Sequence, residues 1–204
     1  MNKALLLGAR AFSSIFRPQY FPLVGFCVLF LCTYLSLLPW IFKGTILLLV
    51  ALGTLVLPRM TIRTWRHING LPLHHLRLRQ KRFFPYLVHI LFYAFTLHLL
   101  NSFHLPRYMA GILVGSLMIQ VSCAFINLWW KISMHCAGAG GAIGALVAYS
   151  FIFYFNPLSW LCLLILISGL VGTSRMLLRQ HNLWQVIAGT LVGIVCGIAG
   201  VMLP

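Results

Sequence analysis

The sequence predicts an all-α integral membrane protein, a bundle of about seven transmembrane helices. Of its 204 residues, 61% are hydrophobic and only 7% are charged, whereas a soluble domain carries roughly 25% charged residues. Apolar stretches long enough to cross a bilayer recur from one end of the chain to the other. The short alternation of apolar and polar residues that is typical of a transmembrane barrel is absent from the sequence.

The N-terminal part, residues 1–60, is predicted as an interfacial segment followed by two spans. Residues 1–20 carry a short apolar run that is interrupted by arginine. A secretory signal peptide has a longer apolar core and a cleavage site of small residues, so we expect this segment to stay uncleaved. The two spans are predicted at about residues 21–42 and 44–58, with a turn at Lys43 and with an extension of the second span to Thr64 left open.

Residues 61–82 are predicted as a basic cytoplasmic loop. The only long polar stretch of the sequence, residues 59–82, lies here and carries Arg59, Arg63, Arg66, His67, His74, His75, Arg77, Arg79, Lys81 and Arg82. Such a cluster binds anionic lipid headgroups, and part of it would also be able to reach a bound phosphate. Both interpretations remain open from the sequence.

Residues 83–204 are predicted as the helical core that carries the site. Its five spans lie at about residues 83–103, 109–130, 131–155, 158–178 and 183–203. Two glycine patterns predict tight packing between these spans, because small residues at four-residue spacing let helices approach closely. Gly140 and Gly144 form one such face on the fifth span, and Gly189, Gly193 and Gly197 form a second on the seventh, predicted to pack against the fifth.

The loops of seven spans alternate between the two sides of the membrane. The N-terminus and the segments 59–82, 131–135 and 175–182 then share one side, together with every lysine and arginine except Lys43 and Arg107. Cytoplasmic loops carry an excess of lysine and arginine. We therefore expect the N-terminus and the three polar clusters at the cytoplasmic face of a bacterial inner membrane.

The chain has 15 Lys and Arg but no Asp or Glu. Carboxylate general bases, carboxylate metal sites and aspartate-oriented triads are therefore excluded within this chain, and acid–base or nucleophilic chemistry falls to His, Cys, Lys, Tyr, Ser or Thr. The six cysteines lie in or at the ends of apolar segments and form no Cys-x-x-Cys pair. They are interpreted as small apolar core residues rather than as a disulfide framework.

Two short polar clusters have the composition of a phosphate site. One is Lys131-Ile-Ser133-Met-His135 at the start of the fifth span, and the other is Ser174-Arg175-x5-His181 between the sixth and seventh. Helix N-termini, arginines and serine hydroxyls bind anions. Of two histidines that face one phosphate, one is able to attack phosphorus while the other protonates the leaving alcohol. This chemistry needs no metal and no other cofactor.

These residues resemble the type 2 phosphatidic acid phosphatase superfamily of membrane lipid-phosphate phosphatases and related vanadium haloperoxidases. The family motif Ser-Arg-x5-His-x3-Asp is matched by Ser174, Arg175 and His181. The motif Pro-Ser-Gly-His is matched in part, by Ser133 and His135, and the motif Lys-x6-Arg-Pro is recognisable only as Lys81-Arg82-Phe-Phe-Pro85 with a different spacing. The resemblance covers roughly residues 75–200 and is most similar to a bacterial branch with diverged motifs. It implies a six-helix lipid-phosphatase-like core.

The resemblance also implies residue roles. His181 would be the nucleophile and His135 the general acid, and Gln185 stands where the family has the aspartate that orients the nucleophile. The phosphate ligands would be Arg175, Ser133 and either Lys81 or Arg82, to which Ser174 and Lys131 are added because they flank the same clusters. Met134 replaces the glycine that lets substrate approach the backbone.

The expected function is that of a metal-independent lipid-phosphate phosphatase or phosphotransferase with a phosphohistidine intermediate. Its expected partners are the bilayer and an anionic phospholipid or prenyl phosphate substrate; the sequence gives no oligomeric state. Gln185 and Met134 keep open an alternative, a catalytically weakened homologue that binds anionic lipids without turnover. A transporter would need more polar residues at mid-membrane depth than the spans contain. Nucleic-acid binding is not expected, because the basic residues lie against a membrane.

Overall fold

The computed structural model describes residues 3–70, 83–103 and 105–203, and these are almost entirely helical. The helices of the described residues are α1 (Lys3–Ile15), α2 (Phe21–Cys32), α3 (Trp40–Ala51), α4 (Leu57–Ile68), α5 (Phe83–Asn101), α6 (Arg107–Ile126), α7 (Met134–Phe153), α8 (Leu158–Leu177) and α9 (Leu183–Met202). Short 3-10 turns occur at Pro18–Tyr20 and Tyr34–Leu37. A π-helical segment, Leu52–Val56, joins α3 to α4.

Seven helical segments of this described part are long and apolar enough to cross a membrane. The first is Lys3–Cys32, which comprises α1 and α2, and the second is Trp40–Ile68, which comprises α3, the π-helical segment and α4. The other five are α5 to α9, one helix each. The predicted fold class, an all-α membrane protein with about seven spans, is confirmed.

The first turn of the bundle lies earlier than the sequence indicated. Helix α2 ends at Cys32 and α3 begins at Trp40, so the predicted span 21–42 and the predicted turn at Lys43 are wrong. Lys43 lies inside α3 and is only 5% exposed. Its ammonium donates a hydrogen bond to the Ser36 carbonyl at 2.8 Å and lies 3.9 Å from the ring centroid of Trp40. These contacts compensate its burial.

Residues on both sides of the predicted boundary at residue 60 belong to one helix. The chain is helical from Trp40 through the π-helical segment to Ile68. Residues 61–68 of the segment predicted as a basic loop are therefore helical, with Arg66 and His67 in the last turn of α4. Residues 71–82 lie outside the described part of the chain.

Helices α7 and α9 pack with their backbones almost in contact. A Cβ atom on Gly193 would lie 2.1 Å from the carbonyl oxygen of Ala137, and one on Gly140 would lie 2.2 Å from that of Thr190. Gly144 and Gly197 are equally confined. The predicted packing of the glycine faces of the fifth and seventh spans is confirmed. This contact holds the start of α7 against the start of α9.

The two ends of the bundle differ in composition. At one end, an aromatic cluster of Tyr34, Tyr108 and Phe153 closes the turn after α2 against the start of α6 and the end of α7. At the other end lie the starts of α7 and α9 and the end of α8, which carry the two polar clusters. We call this the polar end. The main apolar cluster packs against the aromatic end and joins α2, α3, α5, α6, α7 and α9.

Candidate functional site at the polar end

His181 is positioned by the cap of α9. Asn182 is the N-cap residue, and its side chain accepts a hydrogen bond from the Gln185 backbone while Gln185 Oε1 accepts one from the Asn182 backbone. This reciprocal arrangement is a capping box, which is favoured by Asn followed three residues later by Gln. It fixes Gln185 on the first turn of the helix. The His181 ring, which is 8% exposed, is thereby placed against a side chain that cannot easily move.

The Gln185 amide selects one tautomer of His181. Gln185 Oε1 lies 3.0 Å from His181 Nδ1 and also accepts the Asn182 N–H at 3.4 Å. The second contact identifies the atom as the amide oxygen, since an NH2 group would not accept that bond. His181 Nδ1 therefore carries the hydrogen, and in the neutral ring the lone pair is on Nε2.

His135, Arg175 and His181 are brought together although they lie on α7, on α8 and in the loop before α9. His135 is in the first turn of α7, and both the Arg175 guanidinium and the His181 ring act on it electrostatically. Arg175 is in the last turn of α8. The two histidines and the arginine that the motifs single out therefore lie at the same end of the bundle.

The other predicted phosphate ligands take part mainly in local contacts. The Lys131 ammonium donates to the Gln180 carbonyl at 2.6 Å, so it ties the loop before α7 to the loop before α9. The Ser133 hydroxyl is wholly buried and donates to Cys136 Sγ at 3.1 Å. The Ser174 hydroxyl donates to the Leu170 carbonyl, one turn earlier in α8, at 2.8 Å.

Lys81 and Arg82, the two remaining predicted phosphate ligands, lie outside the described residues. Among the predicted ligands that are described, Arg175 and Lys131 contribute positive charge. Ser133 helps to join α7 to α9, because its backbone N–H donates a hydrogen bond to the Gln185 carbonyl at 3.4 Å. The starts of α7 and α9 are thus joined directly beside the two histidines.

The N-terminal helix contributes to this site, which the sequence did not indicate. Ser13, on the last turn of α1 and 5% exposed, accepts a hydrogen bond from Arg175 Nη1 at 2.9 Å. Its backbone hydrogen-bonds with the His135 ring, and Arg17 also acts on that ring electrostatically. Phe12 and Phe16 flank Ser13 and pack against the apolar cluster between α7, α8 and α9. The only local signal was this pair of aromatic residues four apart around a serine.

The charges of the site are all of one sign. Arg17 and Arg175 act on His135, Lys131 is held on the adjacent loop, and the sequence contains no Asp or Glu to balance them. Arg17 is exposed and Lys131 and Arg175 are partly buried, so an anion at the site would find several cations of the same sign and no carboxylate side chain competing for them. The arrangement is therefore suited to an anion, and a phosphate group matches the guanidinium and the helix N-termini around it.

Residues 122–203 match the family model of the PAP2 superfamily. This segment, called the PAP2 segment below, runs from the last turns of α6 to the end of α9 and contains His135, Arg175, His181 and Gln185. The resemblance to the type 2 phosphatidic acid phosphatase superfamily is confirmed over these residues, which are less than half of the chain. No curated protein and no solved structure matches the chain.

The match supports a phosphatase-type activity in broad terms. Together with seven helices of membrane-spanning length, it suggests a lipid-phosphate substrate within a bilayer. Ser13 and Arg17 precede the PAP2 segment, as do helices α1 to α5. The candidate site is therefore composed of a part with family resemblance and a part supplied by this chain's own N-terminal region.

Proposed function

We propose that the protein is a membrane lipid-phosphate phosphatase or phosphotransferase that works through a phosphohistidine. The observation that carries the proposal is the convergence of His135, His181 and Arg175 at one end of the bundle, in a chain without carboxylate side chains. Ser13 contacts both Arg175 and His135, and the Ser133–Gln185 backbone bond joins the start of α7 to the helix turn that holds His181. An anionic phosphate is the natural counter-charge of such a site. The PAP2 match over the same residues supports the same reaction class.

In the proposed first step, His181 Nε2 attacks phosphorus. The bond between phosphorus and the lipid oxygen breaks, the electron pair leaves with that oxygen, and His135 gives it a proton, so that a free lipid alcohol departs. Arg175 and Lys131 stabilise the negative charge on the other phosphate oxygens. No metal ion takes part in this scheme.

In the proposed second step, neutral His135 takes a proton from water and the resulting hydroxide attacks the phosphohistidine. The N–P bond breaks, inorganic phosphate leaves, and the His181 lone pair is restored. If an alcohol takes the place of water, the same step transfers the phosphoryl group to it. The hydrogen bond from His181 Nδ1 to Gln185 supports both steps, because it keeps the lone pair on Nε2.

The substrate that we propose is an anionic phospholipid or a prenyl phosphate. We propose the bacterial inner membrane as the location, with the N-terminus and the polar end on the cytoplasmic side, since nearly all cations belong to the segments assigned to that side. The N-terminal spans and the basic segment 61–82 would then flank a helical core, residues 83–204, with Lys81 and Arg82 available to the phosphate.

The test is phosphate release by the purified protein in nanodiscs. Phosphatidate, a prenyl phosphate and phosphorylated lipid A are supplied in parallel, with wild type compared with His181→Ala and His135→Ala. His98→Ala is the matched control, because His98 is an exposed histidine on α5 away from the site. We expect wild type and the control to release phosphate at the same rate and both site variants to lose turnover. Release that continues unchanged in His181→Ala would overturn the mechanism.

A second candidate function is favoured by one specific residue. Gln185 is neutral, so it can orient the His181 ring but cannot stabilise an imidazolium by charge. This favours a catalytically weakened homologue that binds anionic lipids at the same cations. It predicts lipid-phosphate binding without phosphate release in the wild type, and the comparison of Gln185 variants in the Discussion separates the two candidates.

A further inference from the structure

A cavity of about 440 Å³ lies inside the bundle, directly below the candidate site. Its walls are formed by α2 on one side and by α6, α7 and α8 on the other, with further residues from α5 and α9. The lining is predominantly apolar. Representative lining residues are Val24, Val28, Gly115, Gly138, Ala142 and Leu164.

One end of the cavity lies close to His135. Phe16, Arg17 and Met134 line the part of the cavity nearest the polar end of the bundle. Met134 immediately precedes His135 in the chain, and Arg17 acts electrostatically on the His135 ring. A molecule with its charged group at His135 and Arg175 would therefore have its remaining atoms at the entrance of the cavity.

Two features leave the cavity unfilled. Val24 and Val28 line it and are 55% and 51% exposed, so these side chains are not packed against the facing helices. On the inner wall, α7 presents Ala142 and Ala145, and these small side chains leave space unfilled. The walls therefore leave a space that an apolar ligand can occupy.

The volume indicates how much of a lipid fits. If each methylene takes about the ~30 Å³ that a water molecule occupies in the liquid, then 440 Å³ holds on the order of 15 carbon atoms. This is enough for one hydrocarbon chain of ordinary length. It also lies within the range of about 300–1,000 Å³ that is usual for small-molecule sites.

We propose that this cavity binds a single hydrocarbon chain of the lipid phosphate whose phosphate group lies at His135, Arg175 and His181. The inference rests on the proposed function for the phosphate end and adds the substrate class, a single-chain lipid phosphate. The outer wall comes from α2, which lies outside the PAP2 segment. Selection of the chain is therefore a property of the N-terminal region of this protein.

The test is photolabelling with hexadecyl phosphate that carries a diazirine on its terminal carbon. The probe is bound to the protein in nanodiscs and the labelled residues are located by mass spectrometry, with no turnover required. We expect label on cavity residues of α2, α6 and α7. Label confined to lipid-facing residues of α8 that do not line the cavity, such as Leu163 and Leu166, would overturn the proposal.

A filling variant and a matched control sharpen the result. Ala142→Phe places a ring in the cavity, whereas Cys162→Phe places the same ring on the exposed, lipid-facing side of α8. Cavity labelling should fall about tenfold or more in Ala142→Phe, because the space for most of the chain is lost, and should stay unchanged in Cys162→Phe. Equal labelling in the two variants would contradict the proposal, and the wild-type map remains decisive if Ala142→Phe fails to fold.

Hexadecanol with the same diazirine distinguishes a substrate chain from an ordinary bilayer chain. The phosphate probe should label the cavity about tenfold more strongly than the alcohol; equal labelling would mean that any lipid chain occupies the cavity and would overturn the proposal. Failure of the proposed function has a different signature. Label would then be found in the cavity while no lipid phosphate is hydrolysed in the release assay.

Discussion

Arg175 Nη1 donates a hydrogen bond to Ser13 Oγ at 2.9 Å, across 162 positions of the sequence. This contact joins the last turn of α8 to the last turn of α1. Because the Ser13 backbone also bonds the His135 ring, one residue of the N-terminal helix touches two of the three groups on which the proposed mechanism depends. Helix α1 therefore covers the candidate site and belongs to it.

Substitution of Ser13 by alanine should loosen the contact between α1 and the site. A hydrogen bond to a charged group contributes about 1.5–3 kcal/mol, so Ser13→Ala should loosen the end of α1 by a comparable free energy. The expected result is faster amide hydrogen exchange in residues 3–17, measured by mass spectrometry in nanodiscs. Ser14→Ala is the matched control, because the neighbouring Ser14 accepts only an exposed hydrogen bond from Arg17. Equal exchange in both variants would show that the Arg175 contact does not hold the helix.

Substitution of Gln185 by glutamate should raise the rate of phosphate release. Glutamate keeps the side-chain length and the acceptor oxygen that Gln185 offers to His181 and to the Asn182 backbone, and it is accepted in a capping box. It adds the negative charge that stabilises an imidazolium. In the serine protease triad, loss of that charge lowers turnover by about 10⁴, so a gain of at least about tenfold is expected here.

The same variant separates the two candidate functions. If the wild type releases phosphate slowly or not at all and Gln185→Glu releases it rapidly, the protein is a weakened homologue. If the wild type already releases phosphate rapidly, the neutral Gln185 amide is sufficient for turnover and the weakened-homologue candidate is wrong. Gln185→Leu, which removes the acceptor oxygen and adds no charge, should show no increase in the rate of phosphate release. If its rate rose as much as that of Gln185→Glu, the added charge would not be the cause.

Removal of the Lys131 charge should weaken substrate binding more than it slows chemistry. The ammonium is held beside the site by the Gln180 carbonyl at 2.6 Å, so in the proposed complex its positive charge lies close to the phosphate. For Lys131→Met we expect a rise in KM of about tenfold, which corresponds to about 1.4 kcal/mol, with a smaller change in kcat. Arg107→Met removes one positive charge at the start of α6, at the opposite end of the bundle, and should leave KM unchanged. A similar KM increase in both variants would point to a general effect of net charge.

Much of the fold was predictable because membrane helices follow from composition and length. The apolar stretches predicted seven spans, and four-residue glycine spacing predicted the contact between α7 and α9. The turn at residues 33–39 was missed because apolar residues surround it, so that Thr33 and Pro39 were the only local signals. Lys43 misled the prediction: a charge usually marks a helix end, but here the Ser36 carbonyl and the Trp40 ring accommodate it within α3.

The candidate site was predictable only where its residues form a motif. His135, Arg175 and His181 have characteristic neighbours and spacing, and the capping box that fixes Gln185 is visible as Asn182 followed by Gln185. Ser13 and Arg17 have no such signature. Their place beside Arg175 and His135 results from the docking of α1 over α8, a contact between distant parts of the chain that no local pattern encodes.

The close packing of α7 and α9 predicts a large stability effect at Gly193. An added Cβ would lie 2.1 Å from the Ala137 carbonyl oxygen and 2.8 Å from the Gly141 backbone nitrogen, and neither backbone atom can move without separating the helices. Gly193→Ala should therefore destabilise the protein by roughly 3 kcal/mol or more, which is above the usual cost of overpacking. It should also lower phosphate release, because His135 lies on α7 and His181 lies directly before α9. Gly169→Ala is the control, since a Cβ there has no neighbour within 4 Å, and it should be neutral or stabilising because alanine is the better helix former by up to about 1 kcal/mol. The measurements are thermal unfolding in detergent and the phosphate release assay. If Gly193→Ala unfolds at the same temperature as Gly169→Ala, the contact between α7 and α9 is looser than the structure describes.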